Sequence, residues 1–201
     1  MLAEAVAAEV EQPAVVLALP RGGVPVAVPV ARRLGAPLGL AMVRKLGVPG
    51  RPEVAMGALA RVGGRTELVR HDEVIESYSI TPAAFERVRQ REEALLAERA
   101  ERYGERPLEV AGTALVLVDD GLATGMTALA AVTAARGLEP GQVVMAAPVG
   151  SAQAVRLVAK RADRVICPLV PPDFYAVSLW YARFGQVSDA EVLDALRESG
   201  C

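Results

Sequence analysis

The stretch LVLVDDGLATGMT, Leu115 to Thr127, sets four apolar residues before two carboxylates, Asp119 and Asp120, and then a run of small residues ending in Thr124, Gly125 and Thr127. A short, unalternating apolar run suits a strand buried on both faces of a parallel sheet. A helix over Met126 to Arg136 is expected next, with Thr124 as its N-cap and Gly137 as its stop. The two acids then sit at the carboxyl end of a strand, which is where open α/β sheets bind ligands.

The chemistry of the stretch divides in two. Backbone N–H groups of a small-residue loop can cradle a phosphate, and the helix N-terminus behind it adds unpaired donors and a favourable dipole. Thr124 and Thr127 add hydroxyls, and Gly125 lets the backbone approach closely. Asp119 and Asp120 would repel a phosphate. They can accept hydrogen bonds from sugar hydroxyls, directly or through a hydrated Mg²⁺ ion. A phosphate cradle beside a diol or metal site describes a phosphorylated sugar better than a bare phosphate. Neither the P-loop pattern nor Gly-x-Gly-x-x-Gly is present.

Working outward, similar apolar runs recur at Ala14 to Leu19, Leu38 to Val43, Val143 to Pro148 and Arg164 to Leu169. Helices are expected between them at Val24 to Leu34 and at Ser151 to Lys160, the latter capped by Ser151. Pro29 should end or kink the first of these. Repeated β-α-β order predicts an α/β fold: a doubly wound, mostly parallel sheet flanked by helices. Two regions break that order. Residues from Gly47 onward are rich in Gly and Pro, and Gly63-Gly64 reads as the turn of a hairpin with arms Glu53 to Ala60 and Arg65 to Val69. Thr81 to Tyr103 reads as a long charged surface helix, capped by Thr81 with Pro82 at its first position. Its thin apolar stripe is Phe85, Val88, Leu95 and Leu96.

Composition excludes several classes. The 201 residues carry a net charge of −2, so no bulk basic field draws nucleic acid or an anionic membrane. No apolar stretch is long enough to span a bilayer, and the acidic N-terminal segment is unlike a secretory signal. A cytoplasmic protein is expected. His71 is the only histidine, which removes a His-based metal cluster or triad, and it is expected at the surface. Cys167 is expected to be buried, and neither it nor Cys201 suggests a metal site or disulfide. Of the 22 basic residues only Lys45 and Lys160 are lysine, which singles out Lys45 at the end of the second apolar run. Five aromatic residues, Phe174, Tyr175, Trp180, Tyr181 and Phe184, cluster near the C-terminus.

Leu115 to Thr127 resembles the 13-residue phosphoribosyl-pyrophosphate motif of type I phosphoribosyltransferases: four apolar residues, two acids, a spacer, then Thr-Gly-x-Thr. The resemblance implies that Asp119 and Asp120 bind the ribose hydroxyls, with Mg²⁺ as cofactor, and that Ala123, Thr124, Gly125, Met126 and Thr127 hold the 5′-phosphate. Arg21, Gly22 and Gly23, after the first apolar run, look like the family's pyrophosphate loop. Arg44 and Lys45 sit where some members carry a basic residue reaching the pyrophosphate, and Lys45 is preferred as the catalytic cation. The whole chain is then one domain, with a core over about 14–169, a flexible lid and helical insertion over about 47–104, and a small C-terminal hood over about 170–201. Asp173, Phe174, Tyr175 and Trp180 of the hood are candidates to contact a nucleobase-like acceptor. A Mg²⁺-dependent transferase acting on 5-phosphoribosyl-1-pyrophosphate follows as the expected function. The alternative is a regulator of the same fold that senses the sugar without catalysis. A homodimer is expected by the same resemblance.

Overall fold

The computed structural model describes residues 1–104 and 110–198; Cys201 lies outside them. After helix α1 (Leu2–Glu9), strand β1 (Ala14–Ala18) leads through a tight loop into α2 (Gly23–Leu34) and β2 (Leu38–Leu40). The chain then leaves the sheet for an antiparallel unit, β3 (Met42–Val48), β4 (Arg51–Val62) and β5 (Arg65–Arg70), followed by α3 (Asp72–Ser77) and α4 (Pro82–Tyr103). It returns with β6 (Ala114–Val118), α5 (Met126–Arg136), β7 (Gln142–Ala146), α6 (Ala152–Val158) and β8 (Arg164–Ile166). A 3₁₀ turn (Val177–Trp180) and α7 (Asp189–Glu198) follow.

The five strands of the main sheet are all parallel, in the order β2-β1-β6-β7-β8. β1 and β6 are buried at every position, as their unalternating sequences require. Alternate residues feed two cores. Val16, Ala18, Val116 and Val118 join α1, α2 and α7 on one face, and Leu17, Leu115, Leu117 and Met145 join α5 and α6 on the other. The sheet is therefore doubly wound. α2 runs on through Pro29 and ends at Gly35 in the left-handed region. Among the described residues, no helix is long and apolar enough to cross a membrane.

The second apolar run divides between two sheets. Leu38 to Leu40 pairs with β1, the Ala41 N–H donates to the Ala18 carbonyl, and from Met42 the chain pairs with β4 instead. The expected flexible hairpin is thus a three-stranded antiparallel sheet, order β3-β4-β5, held between two helices. Ala58, Ala60 and Val62 of β4 face α5, whose Ala130, Ala131 and Ala134 are small enough for close packing. Leu46 and Leu59 face α4 through Phe85, Leu96 and Ala100. Met56 joins the α4 side as well, because pairing skips from Gly57 to Ala55 and leaves it on a β-bulge. Gly63 and Gly64, with φ of 55° and 84°, make the two-residue turn expected between β4 and β5.

α4 differs from the expected surface helix. Thr81 caps it, its hydroxyl accepting from the Ala84 N–H, but the buried positions are Phe85, Glu92, Leu96, Ala100 and Tyr103, while Leu95 is exposed. Glu92 is only 4% exposed and is held by Arg44, whose Nε and Nη2 both donate to its Oε2 at 2.9 and 2.5 Å. Arg91 donates to the other oxygen. Burial works to raise the Glu92 carboxyl, and the two guanidiniums more than offset it, holding it below the ordinary value. His71 is half-buried at the start of α3, and Cys167 is half-buried rather than fully enclosed, with burial pushing its thiol up to about 11.

Candidate functional site

Chain order reverses between β1 and β6: from β1 the sheet grows one way to β2, and from β6 the other way to β7 and β8. The crevice outside the carboxyl ends at such a switch point is where this architecture binds ligands. The loops after β1 and β6 meet there. A Cβ at Gly22 would lie 1.8 Å from Asp120 Oδ2, and one at Gly23 would lie 2.5 Å from the Val118 carbonyl and 3.1 Å from Asp119 Cα. Gly22 has ordinary helical dihedrals, so its lack of a side chain serves space and not backbone freedom. The Gly23 N–H already donates to the Leu19 carbonyl at 3.0 Å, and its lack of a side chain also makes room for the end of β6 and the acid pair. The Pro20–Arg21 peptide is cis.

A cavity of about 310 Å³ opens beside the acids, lined by Asp119 to Gly125, Thr127, Ala128, Val177 and Phe184. Gly125 caps α5 in the left-handed region, φ 79°, and a Cβ there would come within 3.1 Å of Ala154 on α6. Thr124 is one residue earlier than the cap, its hydroxyl oxygen 3.5 Å from the Met126 N–H. Ala123, Thr124 and Thr127 are exposed, while Met126 is buried and can offer only its backbone. Ser151 at the start of α6 fixes the loop from behind: its hydroxyl donates to the Ala123 carbonyl and its N–H to the Leu122 carbonyl, each at 2.8 Å. A small-residue loop with exposed threonines ahead of a helix N-terminus can cradle a phosphate.

Neither Asp119 nor Asp120 has an ion-pair partner among the described residues. Burial, and then the neighbouring Asp120 carboxylate, push Asp119 up to about 8, against the Asp120 N–H that donates to its Oδ1 at 2.9 Å. Burial likewise raises Asp120, opposed by the Gly121 N–H. Two uncompensated carboxylates half-buried in a crevice favour hydroxyl donors and cations. They also fit Mg²⁺, an ion commonly held by one or two carboxylates with its remaining oxygen ligands from water and substrate.

The hood closes one wall by different residues from those expected. Val177 packs against Gly121, where a Cβ would lie 2.6 Å from its methyls, and Phe184 lines the cavity. The Tyr181 hydroxyl donates to the Asp120 carbonyl at 2.6 Å, and its ring pairs with Phe184 at 5.2 Å between centroids. Burial and then the two acids push this phenol up to about 12. Asp173, Phe174, Tyr175 and Trp180 are not among the residues lining the cavity; Asp173 and Trp180 are exposed, Tyr175 is 89% exposed, and Phe174 is half-buried. Membership of the aromatic cluster was the only sequence signal for Tyr181 and Phe184, and nothing distinguished them within it.

The basic candidates are spread out. Arg21 reaches α7, where it pairs with Asp189 at 3.4 Å. Arg44 lies inside β3, facing α4 and committed to Glu92, so its expected pyrophosphate role gives way to a structural one. Lys45, itself exposed, lies on the opposite side of β3, its Nζ donating to the Glu53 carbonyl at 2.9 Å. A larger cavity, about 440 Å³, lies at the amino ends of the strands among Glu9, Glu11, Gln12, Asp163 and Arg164. There Glu9 pairs with Arg164, and Asp163 with Arg136.

A Mycobacterium tuberculosis protein, Rv0571c, named provisionally as a phosphoribosyl transferase, is 43% identical over 181 residues. These make up 89% of this chain and 40% of the relative, so the chain spans about two-fifths of that protein's length. The crystal structure of the Thermus thermophilus protein TT1426 is similar at 44% identity and a TM-score of 0.79, over 98% of this chain and 93% of the other. The sequence profile of the phosphoribosyl transferase domain matches residues 2–179, and the chain belongs to that family.

Proposed function

We propose that the protein transfers the ribose 5-phosphate group of 5-phosphoribosyl-1-pyrophosphate to a nitrogenous, nucleobase-like acceptor. The observation that carries this reading is the uncompensated Asp119–Asp120 pair between two small-residue loops at the topological switch point. In the reaction the bond from ribose C1 to pyrophosphate breaks, a bond from C1 to the acceptor nitrogen forms, and the acceptor loses a proton. Asp119 and Asp120 accept hydrogen bonds from the ribose hydroxyls. Ala123 to Thr127 hold the 5′-phosphate through backbone N–H groups and the two threonine hydroxyls. The rigid cradle fixes the sugar and so lowers the entropic part of the barrier.

The departing pyrophosphate lies toward the loop after β1, near Arg21. Lys45 joins it when the ammonium exchanges the Glu53 carbonyl for the anion. Asp119 and Asp120 would hold Mg²⁺, which would supply positive charge toward the pyrophosphate. Val177 and Phe184 wall the side open to the acceptor, with Asp173, Phe174, Tyr175 and Trp180 on the neighbouring part of the hood. Exclusion of water matters because the ribosyl centre develops oxocarbenium character, as in glycoside hydrolysis. A cytoplasmic location accompanies this reading.

The test is pyrophosphate release from 5-phosphoribosyl-1-pyrophosphate and Mg²⁺ with a panel of purine, pyrimidine and related heterocycles. Base-dependent release is expected. Sugar binding with no release for any base would select a sensor instead, and release independent of the base would mean hydrolysis.

A further inference from the structure

Asp189, the first residue of α7, gathers donors from segments far apart in the sequence. Arg21 Nη1 donates to its Oδ1 at 3.4 Å, Arg102 Nη1 to its Oδ2 at 3.0 Å, and the Tyr103 hydroxyl to Oδ1 at 2.7 Å. The loop after β1, the end of α4 and the start of α7 thus converge on one carboxylate. Tyr103 and then Arg102 hold that carboxyl below its ordinary value, so it stays ionised. Asp189 is itself well fixed. Ser188 and Glu191 form a capping box, the Ser188 N–H donating to Glu191 Oε2 at 2.7 Å and the Glu191 N–H to Ser188 Oγ at 3.2 Å. Val192 one turn later is fully buried in the core shared with α2. Arg102 is steadied in turn by Glu98 at 2.7 Å.

Stability alone does not account for this convergence, because ion pairs as exposed as Arg21 and Asp189, 39% and 34%, contribute little. Placement does. A guanidinium has five N–H donors, and one nitrogen of Arg21 is engaged with Asp189. Its remaining donors are available to an anion at the loop. Arginine has many rotamers, and holding it in place before the ligand arrives removes an ordering cost from binding.

We propose that Asp189 is a positioning residue that holds Arg21 for the pyrophosphate group, with Arg102 and Tyr103 of α4 holding Asp189. The proposal rests on the transferase reading above. It also gives the end of the inserted helix α4 a part in the site.

The experiment is calorimetric titration of inorganic pyrophosphate and of ribose 5-phosphate, separately and with Mg²⁺, into the wild type, D189N, R21A and the double variant R21A/D189N. D189N should weaken pyrophosphate by about tenfold and leave ribose 5-phosphate within about twofold, since only ordering of Arg21 is lost. It should add nothing in the R21A background, because the two residues act as one unit. Y103F, which removes one hydrogen bond and no charge, should give a smaller loss of the same selectivity, about threefold. Unchanged pyrophosphate affinity in D189N, or an equal further loss in the R21A background, would overturn the proposal. So would a parallel loss of both probes together with a lowered melting temperature, which would mark a structural role. Failure of the underlying reading has a different signature: the wild type would bind neither probe.

Discussion

The two ends of the parallel sheet treat their carboxylates in opposite ways. At the amino end, Asp163 accepts from the Val143 N–H at 2.7 Å and pairs with Arg136 at 2.6 Å, and Arg136 holds its carboxyl below the ordinary value. At the carboxyl end, Asp119 and Asp120 have only backbone donors, and burial raises both. The amino end has the larger cavity, 440 against 310 Å³, yet two of the three carboxylates lining it, Glu9 and Asp163, are already paired with arginines. Cavity size is therefore the poorer guide here. Buried carboxyl groups without a counter-ion, at a topological switch point, mark the end proposed to take a ligand.

The strongest way to break this comparison is to remove the charge from the waiting end. D119N combined with D120N should weaken 5-phosphoribosyl-1-pyrophosphate by about 100-fold or more, since charge-assisted hydrogen bonds to the sugar hydroxyls are lost together. Circular dichroism should show the fold intact. Unchanged affinity would remove these residues from the site.

A subtler change tests the packing between the two loops. G22A places a methyl against the Asp120 carboxylate, which can swing aside, so affinity should fall by about tenfold with little loss of stability. G23A meets the Val118 carbonyl and the Asp119 backbone, which cannot swing, and should cost about 1–3 kcal/mol in denaturant melts. Equal effects of the two substitutions on stability would contradict the distinction.

The remaining effects concern pH, and the two ends should differ in sign. Asp119 has a raised folded value, near 8, so the native state holds its proton more tightly than the unfolded chain. That contribution is full below about pH 4 and is lost as pH rises through about 8. D119N should therefore stabilise the protein by about 1–3 kcal/mol at pH 8, and not at pH 4. Asp163 has a lowered folded value, so its contribution is present above about pH 4 and lost as acid protonates it. D163N should cost about 0.5–1 kcal/mol at neutral pH, discounted for its exposure, and progressively less in acid. Thermal melts across pH 4–8 measure both; parallel pH trends would refute the asymmetry.

Much of this was legible in the sequence, for physical reasons. A strand buried on both faces must be continuously apolar, and the turn between Val118 and Met126 needs small residues, so β1, β6, α5 and the acid pair are written locally. The same continuity hid the exit from the sheet at Ala41, because an apolar run has no period to mark where pairing partners change. The roles of Arg44 and Glu92 were likewise unreadable. A glutamate on a charged helix looks solvated until the strand beneath it supplies an arginine 48 residues away. The hood wall was visible only as an aromatic cluster. Which members face inward depends on where Val177 meets Gly121 and Tyr181 meets the Asp120 carbonyl, contacts between segments far apart in the chain.

The most direct test of the central claim is calorimetric titration of 5-phosphoribosyl-1-pyrophosphate into the wild-type protein with and without Mg²⁺. Saturable binding that tightens with Mg²⁺ is the predicted result. Absence of binding under both conditions would contradict the assignment of the crevice between β1 and β6 as a phosphoribosyl-pyrophosphate site.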